Sequence, residues 1–194
     1  NSGDNSLRIE AVVSGTLSFI FNNFKDNLKF SDVVLDAKAK GFTEPDPRDD
    51  LSGLDVARKA LILSRDSGAQ MELNEIKVEN LVPKNLREVD VKTFLAKLPE
   101  VDDTYEKLKN EAKASGHVLR YMAVIENGKA SIELKPVDSL HPFYNLSGSD
   151  NMIVFTTERY KTNPLVIKGP GAGAEVTAAG VFAEIITIGN YMAD

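Results

Sequence analysis

Apolar residues recur along this chain with two different periods. Short apolar or alternating runs predict strands over residues 9–13, 76–78, 117–126, 129–135, 152–156 and 165–167. Asn127-Gly128 lies between two of these runs and is the strongest hairpin signal in the sequence. Leu17, Ile20, Phe21 and Phe24 fall at helical spacing and predict a helix over 17–24. Ser31 reads as the N-cap of a helix over 32–40, which Gly41 stops. A third helix is predicted over 52–67, ended by Gly68, with Leu54, Ala57, Leu61 and Ile62 facing inward. Gly53 in its first turn permits close approach of another backbone. Further helices are predicted over 91–98, over 102–115 as a polar, solvated element ended by Gly116, and over 176–191. Helices come mostly first and strands mostly later. The expected class is therefore α+β, with a mixed, largely antiparallel sheet covered by helices on one face.

The last predicted helix is unusual. Val176, Ala178, Ala179, Val181, Phe182, Ile185, Ile186 and Ile188 wrap most of its circumference. Such a helix requires burial on more than one side. It packs either between two parts of this domain or against a partner outside the chain.

Composition narrows the function classes. A length of 194 residues fits one domain or one and a half. A net charge of −6 argues against a nucleic-acid surface, which needs a basic stripe. No apolar run approaches a membrane span. The absence of cysteine excludes disulfides, thiolate catalysis and cysteine-based zinc sites, and points to a reducing cytoplasm. Residues 1–7 lack the order of a signal peptide and read as a linker remnant, so the chain reads as a piece of something longer.

The chemistry concentrates in residues 41–59. This stretch places Glu44, Asp46, Asp49, Asp50 and Asp55 close together and adds Arg58 and Lys59. Pro45 and Pro47 are expected to hold its first half rigid and non-helical. In the second half Asp55 and Lys59 are four apart, on one helical face. So much like charge points to a site for a small zwitterionic or cationic ligand, with a lysine that handles a proton. Three plainer readings stand beside it. The loop could be an exposed acidic turn, or a magnesium or calcium site, although the spacing departs from an Asp-x-Asp-x-Asp-Gly loop. The Asp55–Lys59 pair alone could be a surface ion pair worth ~0.3–0.5 kcal/mol. Residues 169–175 form a glycine-rich turn between a strand and a helix, a place where backbone N–H groups hold phosphate. Ala174 fills the third position of a Gly-x-Gly-x-x-Gly register, so the turn falls short of a complete dinucleotide signature. His117 and His141 stand far apart and read as structural or exposed.

The run 41–59 closely resembles the signature of homoserine dehydrogenases. The resemblance extends over residues 14–21, 118–120, 138–143 and 169–181 in the family's order, covering the chain from about Arg8. The neighbourhoods of Met71 and Leu119 resemble the bifunctional aspartokinase–homoserine dehydrogenases more than the short monofunctional ones. The resemblance implies NAD(P)H-dependent reduction of L-aspartate 4-semialdehyde to L-homoserine, on the route to threonine and methionine. It implies that Lys59 stands beside the reacting oxygen and that Asp55 orients it. Glu44 would bind the substrate ammonium, with Asp50 as a further acidic contact and Gly15 and Thr16 as backbone and hydroxyl contacts. Gly171, Ala172 and Gly173 would approach NADP or NAD. No metal is implied. Phe42 stands where many members have tyrosine.

The family's N-terminal nucleotide-binding (Rossmann) domain and its second active-site lysine have no counterpart in these residues. Residues 8–175 are thus expected to form a catalytic, substrate-binding and dimerisation domain, a homodimer through its sheet. Residues 176–194 would be a helix that packs on the missing domain. The chain alone is expected to turn over little substrate. The alternative is a non-catalytic dimerisation or amino-acid-binding module.

Overall fold

The computed structural model describes residues 3–193. Its elements are β1 (Ser6–Val12), α1 (Gly15–Asn23), α2 (Phe30–Ala39), α3 (Pro47–Leu51), α4 (Leu54–Asp66), β2 (Lys77–Val78), α5 (Val91–Lys97), α6 (Asp102–Ala114), β3 (Val118–Glu126), β4 (Lys129–Val137), β5 (Asn151–Thr157), β6 (Leu165–Gly169) and α7 (Ala174–Ala193). The strands form one six-stranded sheet in the order β2-β4-β3-β1-β5-β6. All neighbours are antiparallel except β2 and β4. The α+β class and the mostly antiparallel sheet are as expected. Asn127 and Gly128 both take positive φ, which makes the tight turn that sets Glu126 opposite Lys129.

Side chains alternate along the strands between two faces. Ile9 and Ala11 of β1, Tyr121 and Ala123 of β3 and Ile132 of β4 pack under the helices, against residues such as Leu17, Ile20, Val34 and Ala57. The opposite face carries a second, smaller core of Val12, Met122, Val137, Met152 and Val154, closed by Phe143 and Leu146. A 3-10 turn over Pro142–Asn145 supplies that cover. It is fastened by Arg120, a buried cation whose Nε donates to Phe143 O at 2.8 Å and whose Nη2 donates to Tyr144 O at 2.9 Å. Burial pushes the pKa of Arg120 down to about 10. The same face holds Glu10, whose Oε1 accepts from Arg8 Nη2 at 2.9 Å and lies 3.4 Å from His141 Nε2. His141 Nδ1 accepts from Phe143 N at 3.1 Å, so Nε2 carries the hydrogen. His141 is thus structural.

Several sequence expectations are corrected. Pro47 is not in a non-helical loop but opens α3, where a missing N–H costs nothing. The helix expected over 52–67 is α4, Leu54–Asp66, and Gly53 at left-handed φ +74 separates it from the short α3 before it. The buried face of α4 carries Val56, Ala57, Ala60 and Ser64. Leu54 and Ile62, expected inside, are 41% and 59% exposed. Gly53 admits a side chain rather than a backbone: a Cβ there would lie 2.0 Å from the Tyr121 hydroxyl. Helix α6 is not merely solvated, since Asp102, Tyr105, Lys109 and Ala112 bury one stripe of it. Tyr105 stacks on Phe30 with centroids 3.8 Å apart. Asp102 accepts from Ser31 N at 2.8 Å and Ser31 Oγ at 2.7 Å, so Ser31 receives a cap instead of supplying one. The described side chains of α7 are exposed all round, Phe182 at 64%.

Two stability experiments follow from this packing. Gly53→Ala meets both a disfavoured φ and the Tyr121 hydroxyl, so chemical denaturation should register a loss of about 1–3 kcal/mol or more. Adding Tyr121→Phe should return part of that loss. Glu10 is driven upward by burial, but its hydrogen bonds from His141 and Arg8 prevail and hold its pKa at about 2, below the ordinary 4.5. A depressed carboxylate stabilises the fold above its unfolded pKa and ceases to do so as pH falls through the folded one. Urea titrations should therefore show on the order of 3 kcal/mol lost between about pH 4.5 and 2, and Glu10→Gln should remove that limb.

Candidate active site

Strand β1 runs directly into α1. Ser14 is extended there, and its Oγ caps the helix by accepting from Leu17 N at 3.2 Å. The segment after the 3-10 turn packs against this start. Asn22 Nδ2 donates to Gly148 O at 2.8 Å, Ser18 Oγ donates to Asp150 O at 3.0 Å, and a Cβ on Gly15 would sit 3.5 Å from Ser149 O. Gly15 and Thr16 are thereby fixed at one end of the sheet.

Thr16 reaches the acidic loop from this position. Its Oγ1 lies 2.5 Å from Phe42 O and 2.8 Å from Asp50 Oδ1, and its one hydrogen serves both. Asp50 Oδ2 accepts from Glu44 N at 2.8 Å. Asp50 therefore spans the gap between α1 and the loop, and both of its oxygens are engaged. Burial, with the like charge of Asp49, pushes its pKa above the ordinary carboxylate value against the pull of those hydrogen bonds. Glu44 itself is exposed, with a carboxylate left unpaired among the described residues and a backbone tied on both sides. The Phe42 ring stacks on Phe19 with centroids 4.3 Å apart.

Helix α4 brings Lys59 to the same end of the sheet. Lys59 Nζ lies 2.9 Å from Asp55 Oδ2 and donates to Val13 O, just beyond the end of β1, at 2.9 Å. The side chain remains 43% exposed, so the ammonium is oriented but not sealed. The Lys59–Asp55 pair and the Thr16–Asp50–Glu44 chain are thus both tethered to the β1–α1 junction, one through Val13 O and the other through Thr16. Among the described residues, no group of three or more histidines and carboxylates is placed to hold a metal ion.

The glycine turn comes from the other side. Met152 pairs with Val12, and Asn151 pairs with Gly169, so β6 delivers Gly171, Ala172 and Gly173 toward the same end of the sheet. A Cβ on Gly173 would meet nothing within 4 Å, and its φ of +126 favours glycine. Gly171 differs, because a Cβ there would lie 1.7 Å from Asn151 Nδ2. Its bareness accommodates Asn151 as well as any ligand. Asn151 Oδ1 is buried, with no hydrogen-bond partner among the described residues. Sequence reading passes over Asn151, whose neighbour becomes visible only with strand register. It also passes over Arg48, whose carbonyl partners lie some forty positions further on.

The junction gathers three carboxylates and one ammonium at one end of the sheet. The pattern of the family described as homoserine dehydrogenase matches residues 1–186. The chain is 52% identical, over 98% of its length, to the chloroplastic bifunctional aspartokinase/homoserine dehydrogenase 1 of Arabidopsis thaliana, of which it spans 21%. It is 48% identical to the homoserine dehydrogenase of Saccharomyces cerevisiae over 98% of its length and 55% of that protein. Among solved structures, a Candida auris protein of unknown function superposes with a TM-score of 0.93 at 46% identity, over 97% of this chain and 55% of that one. The Staphylococcus aureus homoserine dehydrogenase at pH 6.5 gives 0.75 at 25% identity, over 98% and 44%. The chain therefore spans about a fifth to about half of these proteins. A matching family pattern, relatives of the same kind and a shared fold show that the chain belongs to the homoserine dehydrogenase family.

Proposed function

We propose that residues 8–175 are the catalytic and substrate-binding part of a homoserine dehydrogenase, reducing L-aspartate 4-semialdehyde to L-homoserine. The observation that carries this reading is the tethering of Lys59 Nζ to Asp55 and to Val13 O, beside the Thr16–Asp50–Glu44 network. Glu44 takes the substrate ammonium. Asp50 holds Glu44 and Thr16 in register, and Gly15 and Thr16 border the bound amino acid. Lys59 donates a proton to the aldehyde oxygen and recovers one from water. Asp55 aims the amine. NADP or NAD in reduced form, when bound, would supply hydride chemistry at the aldehyde carbon. Gly173 offers the open backbone for its approach, and Gly171 and Ala172 shape the turn.

The remaining parts are read in the same way. The exposed apolar α7 packs on a nucleotide-binding domain of the longer protein, and the sheet forms the contact between two copies. No helix among the described residues is long and apolar enough to cross a membrane. A cysteine-free chain suits a reducing cytoplasm, while the plant relatives are named chloroplastic.

In the full-length protein, Lys59→Ala should lower kcat by about 10²–10⁴-fold with homoserine binding kept. Unchanged turnover would leave only an amino-acid-binding or dimerisation module. The 194-residue chain assayed alone should show little homoserine-dependent NADP reduction. A robust rate from it would overturn the division of labour between the two parts.

A further inference from the structure

We propose that Arg48 is a positioning residue for the amino-acid site, acting through the acidic loop and not on substrate; this rests on the reading of that loop given above. The Arg48 guanidinium is used on both edges. Nε lies 3.0 Å from each Asp46 carboxylate oxygen, and Nη2 donates to Asp46 Oδ2 at 2.6 Å. On the other edge Nη1 donates to Leu86 O at 3.2 Å, Arg87 O at 3.1 Å and Val89 O at 2.5 Å. The guanidinium carbon lies 5.4 Å from the ring centroid of Phe94, which is fully buried. A planar fork with five N–H donors grips both oxygens of a carboxylate on one edge and three carbonyls on the other, more partners than the three hydrogens of a lysine ammonium can reach. Asp46 is also the N-cap of α3, since its Oδ1 accepts from Arg48 N at 3.0 Å. The first turn of α3 and the segment before α5 are therefore bolted into one body.

Both acids assigned to the substrate side hang from that body. Glu44 precedes Asp46 by two residues, and the residue between them is Pro45, whose φ is fixed and whose carbonyl is held by Lys38 Nζ. Asp50 follows Arg48 by two residues on the same short helix. Lys59 hangs from a different support, the end of β1 through Val13 O. Arg48 thus sets the spacing between the acids and the lysine. Among the described residues it makes no hydrogen bond or ion pair with β1 or with the glycine turn. Its loss should reach the amino acid and spare the cofactor.

In the full-length protein, Arg48→Ala should raise KM for the amino acid about ten- to a hundredfold, the scale of a misplacement near 1 Å, with KM for NADP unchanged. Arg48→Lys should stay closer to Arg48→Ala than to the parent protein, and guanidinium ion at non-denaturing concentration should restore part of the affinity of Arg48→Ala. An unchanged amino-acid KM, an equal rise in both KM values, or an Arg48→Lys protein indistinguishable from the parent would overturn the proposal. If Arg48→Ala does not fold, Asp46→Asn is read by the same criterion, with a smaller rise in the amino-acid KM alone. Lys59→Ala separates the two levels of the argument. Full turnover in Lys59→Ala defeats the reading of the site itself. Lost turnover there, with normal amino-acid binding in Arg48→Ala, defeats only the clasp.

Discussion

One half-buried carboxylate holds the candidate site together. Asp50 accepts from Thr16 with one oxygen and from the Glu44 backbone with the other, joining the start of α1 to a loop nearly thirty residues further on. Burial opposes its charge, and two donors support it. Removing either donor would leave a partly desolvated charge short of a partner, which costs more than the bond itself contributes. The acidic loop can therefore occupy one position against α1 and no adjacent one. Everything placed by that loop inherits the constraint, including the stacking of Phe42 on Phe19.

The sheet gives this arrangement a rigid floor. One face is covered by helices and the other by the short turn that Arg120 fastens with backbone carbonyls. The segment leaving that turn supplies the carbonyls of Gly148 and Asp150 to α1. Packing on the lower face is thus transmitted to the helix start on the upper one. A buried guanidinium with several carbonyl partners is a costly but directional fastener, since an alternative path for the turn would strand the charge.

How much of this was legible in the sequence depends on the range of the interaction. Local periodicity and turn chemistry placed the hairpin at Asn127-Gly128, the helices and the α+β class. The spacing of Asp55 and Lys59 on one helical face anticipated their 2.9 Å pair. Long-range partners were not visible. Nothing local indicates that Gly53 makes room for Tyr121, or that Leu54 and Ile62 lie on the exposed side of α4. The buried stripe of α6 was hidden because polar side chains, Asp102 and Lys109, occupy it; each satisfies groups near the ends of α1 and α2, which no periodicity of apolar residues reports. The convergence of Glu44, Asp50, Thr16 and Lys59 came from family resemblance, whereas the second role of Gly171 required strand register.

The anchoring of Lys59 also bears on the path of the proton. An ammonium has three hydrogens, and the Asp55 carboxylate and the Val13 carbonyl claim two of them. In the proposed reaction a single N–H vector is left for the carbonyl oxygen. Once that hydrogen has left, the neutral amine still satisfies both of its anchors. The catalyst would stay in place between turnovers while a fresh proton arrives.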